Sequence, residues 1–163
     1  MAASCYLVAY AAHFHFDAAP DVVWAAMEDL ERFERWWGWL GNLKVEGDGL
    51  REGSVLRGTV SPPLPYQLRL RVVLDRCVPS RLIDARVHGD LEGTAHMEFR
   101  PAGAGTRADV TWTLEMTNRP MRVAARVAYP VLRWGHDRVV ESTVVAFREQ
   151  LARARRDPQT GAG

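Results

Sequence analysis

One long helical segment closes this chain, after a series of segments that alternate like β-strands. The segment runs from Arg119 to about Arg156, and a projection at about 100° per residue divides its residues 131–151 into two sides. One side carries Leu132, Gly135, Val139, Ser142, Ala146 and Phe147, and the other carries Arg133, Asp137, Glu141 and Arg148. A sheet with one apolar face must be covered, and no other segment is long enough to cover it. We therefore expect a curved antiparallel sheet that grips one long helix, with a pocket between them.

Residues 42–117 alternate between apolar and polar side chains with a period of two, which predicts strands. With an aromatic-rich first strand at 6–16, the predicted strands are 42–47, 54–61, 66–78, 81–88, 91–100 and 106–117. Short turns rich in glycine and proline separate them, so the sheet is predicted to be an antiparallel meander. One face is dry and mixes small residues such as Gly93 and Ala95 with large ones such as Met97 and Phe99. This mixture leaves room for a ligand or for a closely packed helix.

Two short helices are predicted between the first two strands. Pro20 suits the first position of a helix, and the helical spacing of apolar residues ends near Asp29. A second helix begins near Phe33 and is predicted to end at Gly41. Four of the six tryptophans lie in positions 24–39. They either pack the helices onto the sheet or form an aromatic rim of the pocket, and both roles are compatible.

The composition argues against several classes of function. A net charge of +1 over 163 residues gives no reason to expect a nucleic acid partner. Cys5 and Cys77 lack metal-binding spacing and are expected to be reduced thiols. His13 and His15 share one face of the first strand without a third ligand, which favours a solvated surface over a metal site. No cofactor motif is present, so no cofactor is expected. No apolar run approaches the ~20 residues of a membrane span, and the N-terminus lacks a signal-peptide pattern, so we expect a cytoplasmic protein.

Pro130 divides the closing helical segment, because proline lacks a backbone donor and moves Tyr129 away from helical angles. The part at about 131–154 is predicted to be the gripped helix. The earlier part begins an arginine stripe at positions 119, 122, 126 and 133. Such a stripe is either the solvated face of the helix or a surface for transient contact with a membrane. We interpret residues 119–129 as a candidate gate, residues 1–156 as one ligand-binding domain, and residues 157–163 as a disordered tail.

Several short sequences match one superfamily in the order of the predicted elements. AAPDVVW at 18–24 and FERWW at 33–37 resemble the opening of the START-like (SRPBCC) superfamily, which includes Bet v 1-like proteins and polyketide cyclases. GTRADVTWTLE at 105–115 resembles its last strand, and RWGHDRVVES at 133–142 resembles the closing helix of its polyketide cyclase/dehydrase and lipid transport branch. The resemblance covers about residues 8–152. It implies an α+β helix-grip fold, with a seven-stranded curved sheet around the C-terminal helix and a hydrophobic cavity between them.

The dry-face pattern and the resemblance give a set of candidate site residues. The candidates for ligand binding are Trp36, Trp37, Tyr66, Leu70, Val72, Ala85, Met97, Phe99, Trp112, His136, Val139 and Thr143. His136 and Tyr66 are also candidates for an acid or base in catalysis. A histidine at the edge of a buried helix face also commonly satisfies a backbone carbonyl, so a structural role for His136 stays open.

Three functions are compatible with this pattern. The main prediction is a carrier or sensor that binds a hydrophobic small molecule such as a lipid or a polyketide. The first alternative is a polyketide cyclase or dehydratase that uses the same cavity, because positioning a flexible chain can itself direct cyclisation. The second alternative is a protein-interaction module of the co-chaperone type. We expect a monomer or a homodimer.

Overall fold

One antiparallel sheet and one long helix dominate the computed structural model, which describes residues 6–156. The strands are β1 (Leu7–Phe16), β2 (Leu40–Glu46), β3 (Val55–Val60), β4 (Leu68–Val78), β5 (Leu82–Gly89), β6 (Leu91–Ala102) and β7 (Gly105–Met116). The helices are α1 (Pro20–Glu28), α2 (Phe33–Trp36) after a 3-10 turn (Leu30–Arg32), and α3 (Arg119–Arg156). Strand boundaries lie within two residues of the predicted ones, and the α+β helix-grip fold is confirmed. Cys5 and the tail predicted at 157–163 lie outside the described residues.

The sheet has the strand order β1-β7-β6-β5-β4-β3-β2, so the first strand lies at one edge, beside the last strand. β2 to β7 pair with their sequence neighbours, and β1 then pairs with β7 along its whole length. This register sets Leu7 opposite Glu115 and Tyr10 opposite Trp112. Tyr10 and Trp112 both lie on the inner face of the sheet, because inward residues alternate with exposed ones along both strands.

The sheet has a dry inner face and a wet outer face, as the alternation predicts. Leu91 and Phe99 are buried in β6, whereas Glu92 and Thr94 are exposed. The outer face carries ion pairs such as Arg86 with Asp75, at 2.8 Å. Three irregularities bend the sheet: a register shift between Leu74 and Arg76, another between Gly41 and Lys44, and Gly93 with a φ of +155°. The resulting curvature encloses the space on the dry side.

The second short helix is shorter than predicted. It ends at Trp36 instead of Gly41, and Trp37 has extended angles of φ −115° and ψ 97°. Gly38 follows, and glycine is a poor helix former, so continuing the helix there would have cost about 1 kcal/mol relative to alanine. Residues 37–39 therefore connect directly to β2, which begins at Leu40.

The closing helix is interrupted two residues before Pro130. Ala128 has φ −134° and ψ 36°, whereas the sequence predicts the break at Tyr129. An interruption at Ala128 sets Pro130 in the first turn of the following helical part, where its missing N–H group would have no intrahelical partner. Leu132, Gly135 and Phe147 are buried as predicted, but Ser142 is exposed and donates its hydroxyl hydrogen bond to the Val139 carbonyl oxygen.

Two further expectations concern membranes and thiols. None of the helices within residues 6–156 contains a stretch long and apolar enough to cross a bilayer. Cys77 is a free, half-buried thiol in β4, and burial raises its pKa. A thiol held protonated in this way is a packing residue and a poor nucleophile.

Candidate functional site

A cavity of about 530 Å³ lies between the inner face of the sheet and α3. Its volume falls within the ~300–1,000 Å³ that small-molecule sites usually have. The walls come from β1, β3, β4, β6, β7 and α3, with additional side chains from α1 and from the segments around Trp39 and Tyr66. Most of these side chains are aliphatic or aromatic. The cavity is therefore bounded mainly by the apolar core.

Ten of the twelve predicted ligand-binding residues line this cavity. They are Trp37, Tyr66, Leu70, Val72, Met97, Phe99, Trp112, His136, Val139 and Thr143. Trp36 and Ala85 do not line it. Trp36 packs against Phe33 and Phe147, with ring centroids 5.8 and 6.3 Å away. Ala85 is buried in the same apolar cluster as Leu74 and Phe99.

Trp37 and Trp39 form one aromatic wall. Their rings are stacked, with centroids 5.4 Å apart and an interplanar angle of 12°. Gly38 and Trp39 lie in a turn that the Leu40 N–H closes by donating to the Trp37 carbonyl oxygen at 3.0 Å, so the two rings are adjacent. The Trp37 indole N–H donates to the Thr143 carbonyl oxygen of α3 at 3.3 Å, while the Trp39 Nε1 is buried without a hydrogen-bond partner among the described residues. This wall ties the α2–β2 connection to α3.

A chain of hydrogen bonds fixes the orientation of His136. The Trp112 indole N–H donates to His136 Nε2 at 3.1 Å, and His136 Nδ1 lies 2.9 Å from Asp137 Oδ1. An indole N–H can only donate, so Nε2 accepts and the proton of the neutral ring belongs on Nδ1, facing the carboxylate. Both ring nitrogens thus have protein partners, neither of them a backbone carbonyl.

Tyr10 packs beside this chain of hydrogen bonds, although the sequence pattern did not identify it. Its ring stacks on Trp112 with centroids 4.6 Å apart, as expected of an aromatic pair at opposed cross-strand positions. It also meets His136 edge to face at 5.1 Å. Burial and the nearby Asp137 carboxylate raise the Tyr10 pKa. The strand register, once known, is the signal that identifies this residue.

Arg133 is a cavity residue that the helical projection assigned to the solvent side. Its guanidinium donates to the Ala9 carbonyl oxygen at 3.4 Å and lies 3.5 Å from Asp137. The residue also lines the cavity, and the aliphatic part of a long charged side chain commonly covers apolar surface in this way. Arg133 is the only lining residue, among those the structure describes, that carries a permanent charge. Because Asp137 pairs with it, the cavity contains no uncompensated charge.

Two tyrosines that line the cavity have hydroxyl groups without a hydrogen-bond partner within residues 6–156. They are Tyr66, in the connection between β3 and β4, and Tyr129, in α3. Burial raises the Tyr66 pKa, so its hydroxyl is protonated at neutral pH and can donate a hydrogen bond. The neighbouring Thr143 hydroxyl, in contrast, already donates to the Val139 carbonyl oxygen at 2.6 Å. Tyr66 and Tyr129 are therefore the hydroxyl groups most available to a ligand.

Gly135 allows α3 to approach the connection that contains Tyr66. A methyl group at position 135 would lie 2.5 Å from Leu64 Cδ1 and 3.8 Å from Pro62 Cβ. Pro62 and Tyr66 both line the cavity, so this close approach helps to close one part of it. His13 and His15, in contrast, are exposed on the outer side of β1.

Comparisons with known proteins agree with this architecture. The family model described as "Polyketide cyclase / dehydrase and lipid transport" matches residues 8–156. A search of curated proteins finds no match. Among solved structures, TTHA0849 from Thermus thermophilus is 20% identical with a TM-score of 0.72, covering 90% of this chain and 99% of that one.

Two further solved structures represent different branches of the same fold. Ara h 8.0201 is 12% identical with a TM-score of 0.66, covering 90% of this chain and 98% of that one. The di-domain ARO/CYC StfQ from the steffimycin biosynthetic pathway is 14% identical with a TM-score of 0.70, covering 93% of this chain and 52% of that one. At such identities the likeness establishes the START-like, Bet v 1-like fold and leaves the ligand open.

Proposed function

Because the chain belongs to the polyketide cyclase/dehydrase and lipid transport family, we propose that its cavity binds an uncharged, mainly apolar small molecule as a carrier or sensor. The observation that carries this proposal is the internal pairing of the charged and basic side chains on the wall. Both ring nitrogens of His136 have hydrogen-bond partners, and Arg133 is paired with Asp137. A charged ligand would be buried without a free counter-ion, which is strongly unfavourable. The hydroxyl groups of Tyr66 and Tyr129 suit one or two carbonyl or hydroxyl groups on the ligand.

The test is uptake of a neutral apolar dye, N-phenyl-1-naphthylamine, whose fluorescence rises on transfer from water to an apolar site. Val139 lines the cavity from α3, so Val139→Trp should fill part of the space and abolish uptake. Val145 lies on the same helix with its side chain 54% exposed, so Val145→Trp is the matched control and should bind like the wild type. Native mass spectrometry of protein purified from its own host should then reveal a retained lipophilic compound. If the wild type neither enhances the dye fluorescence nor retains any compound, the proposal is wrong.

A ligand of this kind is sparingly soluble in water, so it must be exchanged with a membrane or another protein. We therefore propose that residues 119–133, which carry the arginine stripe, make transient contact with a membrane surface.

An enzyme is the second candidate, and one observation favours it. Asp137 holds His136 Nδ1 at 2.9 Å, which is how a third group commonly orients a catalytic base. If Trp112 released Nε2, that nitrogen could accept a proton from a bound polyketide-like chain. Cyclisation or dehydration would then depend on His136, with Tyr66 as the proton donor.

The substitution His136→Gln separates catalysis from packing, because glutamine retains an oxygen acceptor for the Trp112 indole N–H. A poly-β-ketone chain supplied by a purified polyketide synthase is the substrate, and products are resolved by mass spectrometry. An enzymatic role predicts that His136→Gln loses the cyclised product while dye uptake persists, and that Tyr66→Phe does the same. An unchanged product profile would assign both residues to ligand binding alone.

A further inference from the structure

The first part of α3 exposes a row of apolar side chains to solvent. Val123, Val127, Val131 and Trp134 are 62%, 86%, 49% and 50% exposed. Val123 and Val127 share one face of the helical part before the interruption at Ala128, and Val131 and Trp134 share one face of the part after it. We call this set the valine–tryptophan stripe. Single exposed apolar residues are ordinary, but four of them within twelve positions of one element mark a candidate interaction surface.

In sequence, the charges within the valine–tryptophan stripe have one sign. No aspartate or glutamate occurs between Glu115 and Asp137, whereas this interval contains the four arginines of the arginine stripe, of which Arg133 is paired with Asp137. A second copy of the chain docked symmetrically on this surface would bring arginines against arginines, which is unfavourable. A surface of anionic lipid headgroups is complementary to it, with arginines near the phosphates and valines at the acyl boundary. Tryptophan is the residue type enriched at this depth of a bilayer.

The same segment borders the cavity from its other side. Met121, Tyr129 and Leu132 line the cavity, whereas their neighbours Val123, Val127 and Val131 are exposed. The helix is interrupted at Ala128, in the middle of the stripe. A residue with non-helical dihedral angles at that point allows the two parts of α3 to move relative to each other more easily than a continuous helix would. Docking would thus occur directly beside the ligand.

We propose that the valine–tryptophan stripe docks the protein onto an anionic lipid bilayer, and that the apolar ligand passes between bilayer and cavity past residues 121–132. Docking itself requires only the exposed stripe and the arginines. The passage of ligand rests on the proposed function, because it requires a cavity that takes up an apolar molecule.

The experiment is flotation of the purified full chain with two kinds of vesicles, phosphatidylcholine alone and phosphatidylcholine mixed with phosphatidylglycerol. The wild type should float with the mixed vesicles and bind phosphatidylcholine weakly, and added salt should weaken its binding. The double variant Val123→Ser and Val127→Ser should lose roughly tenfold or more in affinity, since two apolar side chains no longer enter the bilayer. Val22→Ser, which changes a 44% exposed valine in α1, is the matched control and should bind like the wild type.

Several outcomes would overturn the proposal. The wild type could fail to bind either vesicle, or the double variant could bind as well as the wild type, in which case arginines alone attract the protein. A wild-type dimer that the double variant converts to monomers, without vesicle binding, would assign the stripe to a second copy. Dye uptake from solution keeps the two hypotheses apart: the double variant should retain it, and vesicle binding without any dye uptake would refute the proposed function but not docking.

Discussion

Single side chains decide what the cavity can bind, and Tyr66 illustrates this best. Tyr66 lines the cavity, its hydroxyl has no hydrogen-bond partner among the described residues, and burial raises its pKa. The neutral hydroxyl is therefore favoured in the folded state, and ionisation in place would introduce a charge into an apolar wall. A ligand with a carbonyl or hydroxyl group would satisfy this donor.

The raised pKa of Tyr66 predicts how stability depends on pH. The folded state binds the phenolic proton more tightly than the unfolded state, whose tyrosine pKa is near 10.0. The stabilising contribution is therefore complete below pH 10.0 and is lost as the pH rises through the folded-state pKa. Denaturant unfolding across this range should show a decline in the free energy of unfolding that is shallower in Tyr66→Phe than in the wild type. Tyr10→Phe should likewise make the decline in the free energy of unfolding shallower, because burial also raises the pKa of Tyr10.

Other groups also titrate in strong base. The quantity to compare is therefore the difference in the free energy of unfolding between Tyr66→Phe and the wild type at each pH. Parallel curves for Tyr66→Phe and the wild type would mean that the Tyr66 pKa is equal in the folded and unfolded states. That result would contradict the burial of its hydroxyl.

Arg133 shows why some cavity residues are hard to predict from a helical projection. The projection of residues 131–151 assigns Arg133 to the solvent side, together with Asp137 and Glu141. The length of the arginine side chain lets its guanidinium reach the Ala9 carbonyl oxygen in β1, while the residue also lines the cavity. Both contacts are tertiary and leave no trace in the local pattern.

At the level of elements, the strands were predictable because their signal is local. Alternation with a period of two and glycine- or proline-rich turns located each strand boundary to within two residues. The α2–β2 connection was harder, because clustered aromatic residues occur in helices and in extended segments alike. Trp36, the last residue of α2, packs on Phe33, whereas Trp37 and Trp39 form the cavity wall from the turn that follows α2.

Gly93 controls how closely β6 and β7 can pair. Its φ is +155°, and a Cβ atom there would overlap the Thr113 carbonyl oxygen of β7. The neighbour is backbone, so it cannot move away as a flexible side chain would. We predict that Gly93→Ala lowers the free energy of unfolding by more than about 2 kcal/mol, as measured by denaturant titration.

Gly38→Ala is the matched control, because a methyl group at position 38 has no neighbour within 4 Å and the residue needs no positive φ. Its effect should stay within about 0.5 kcal/mol. Equal stability of the two variants would show that the β6–β7 pairing tolerates the added Cβ atom, and that Gly93 has no special role in bending the sheet.

At the level of the whole molecule, the fold followed from the order of the elements, but the contents of the cavity did not. Trp39, Pro62 and Met121 come from three separate segments and meet only in the folded chain. Their meeting depends on the curvature of the sheet and on the close approach at Gly135, neither of which has a sequence period. Residues on regular strands, such as Leu70 and Met97, were identified because alternation alone directs them inward.

The pairing of β1 with β7 also delays the pairing of the first strand during synthesis of the chain. Leu7 lies opposite Glu115, 108 positions later, so the first strand has no partner until nearly the whole sheet has been made. At a synthesis rate of ~5–20 residues per second, this interval lasts about 5–20 seconds. During it, a ten-residue strand without any acidic or basic residue other than histidine stays unpaired at the ribosome. Such a segment is prone to pair with other chains. We therefore expect β1 of the nascent chain to need protection from aggregation before α3 is synthesised.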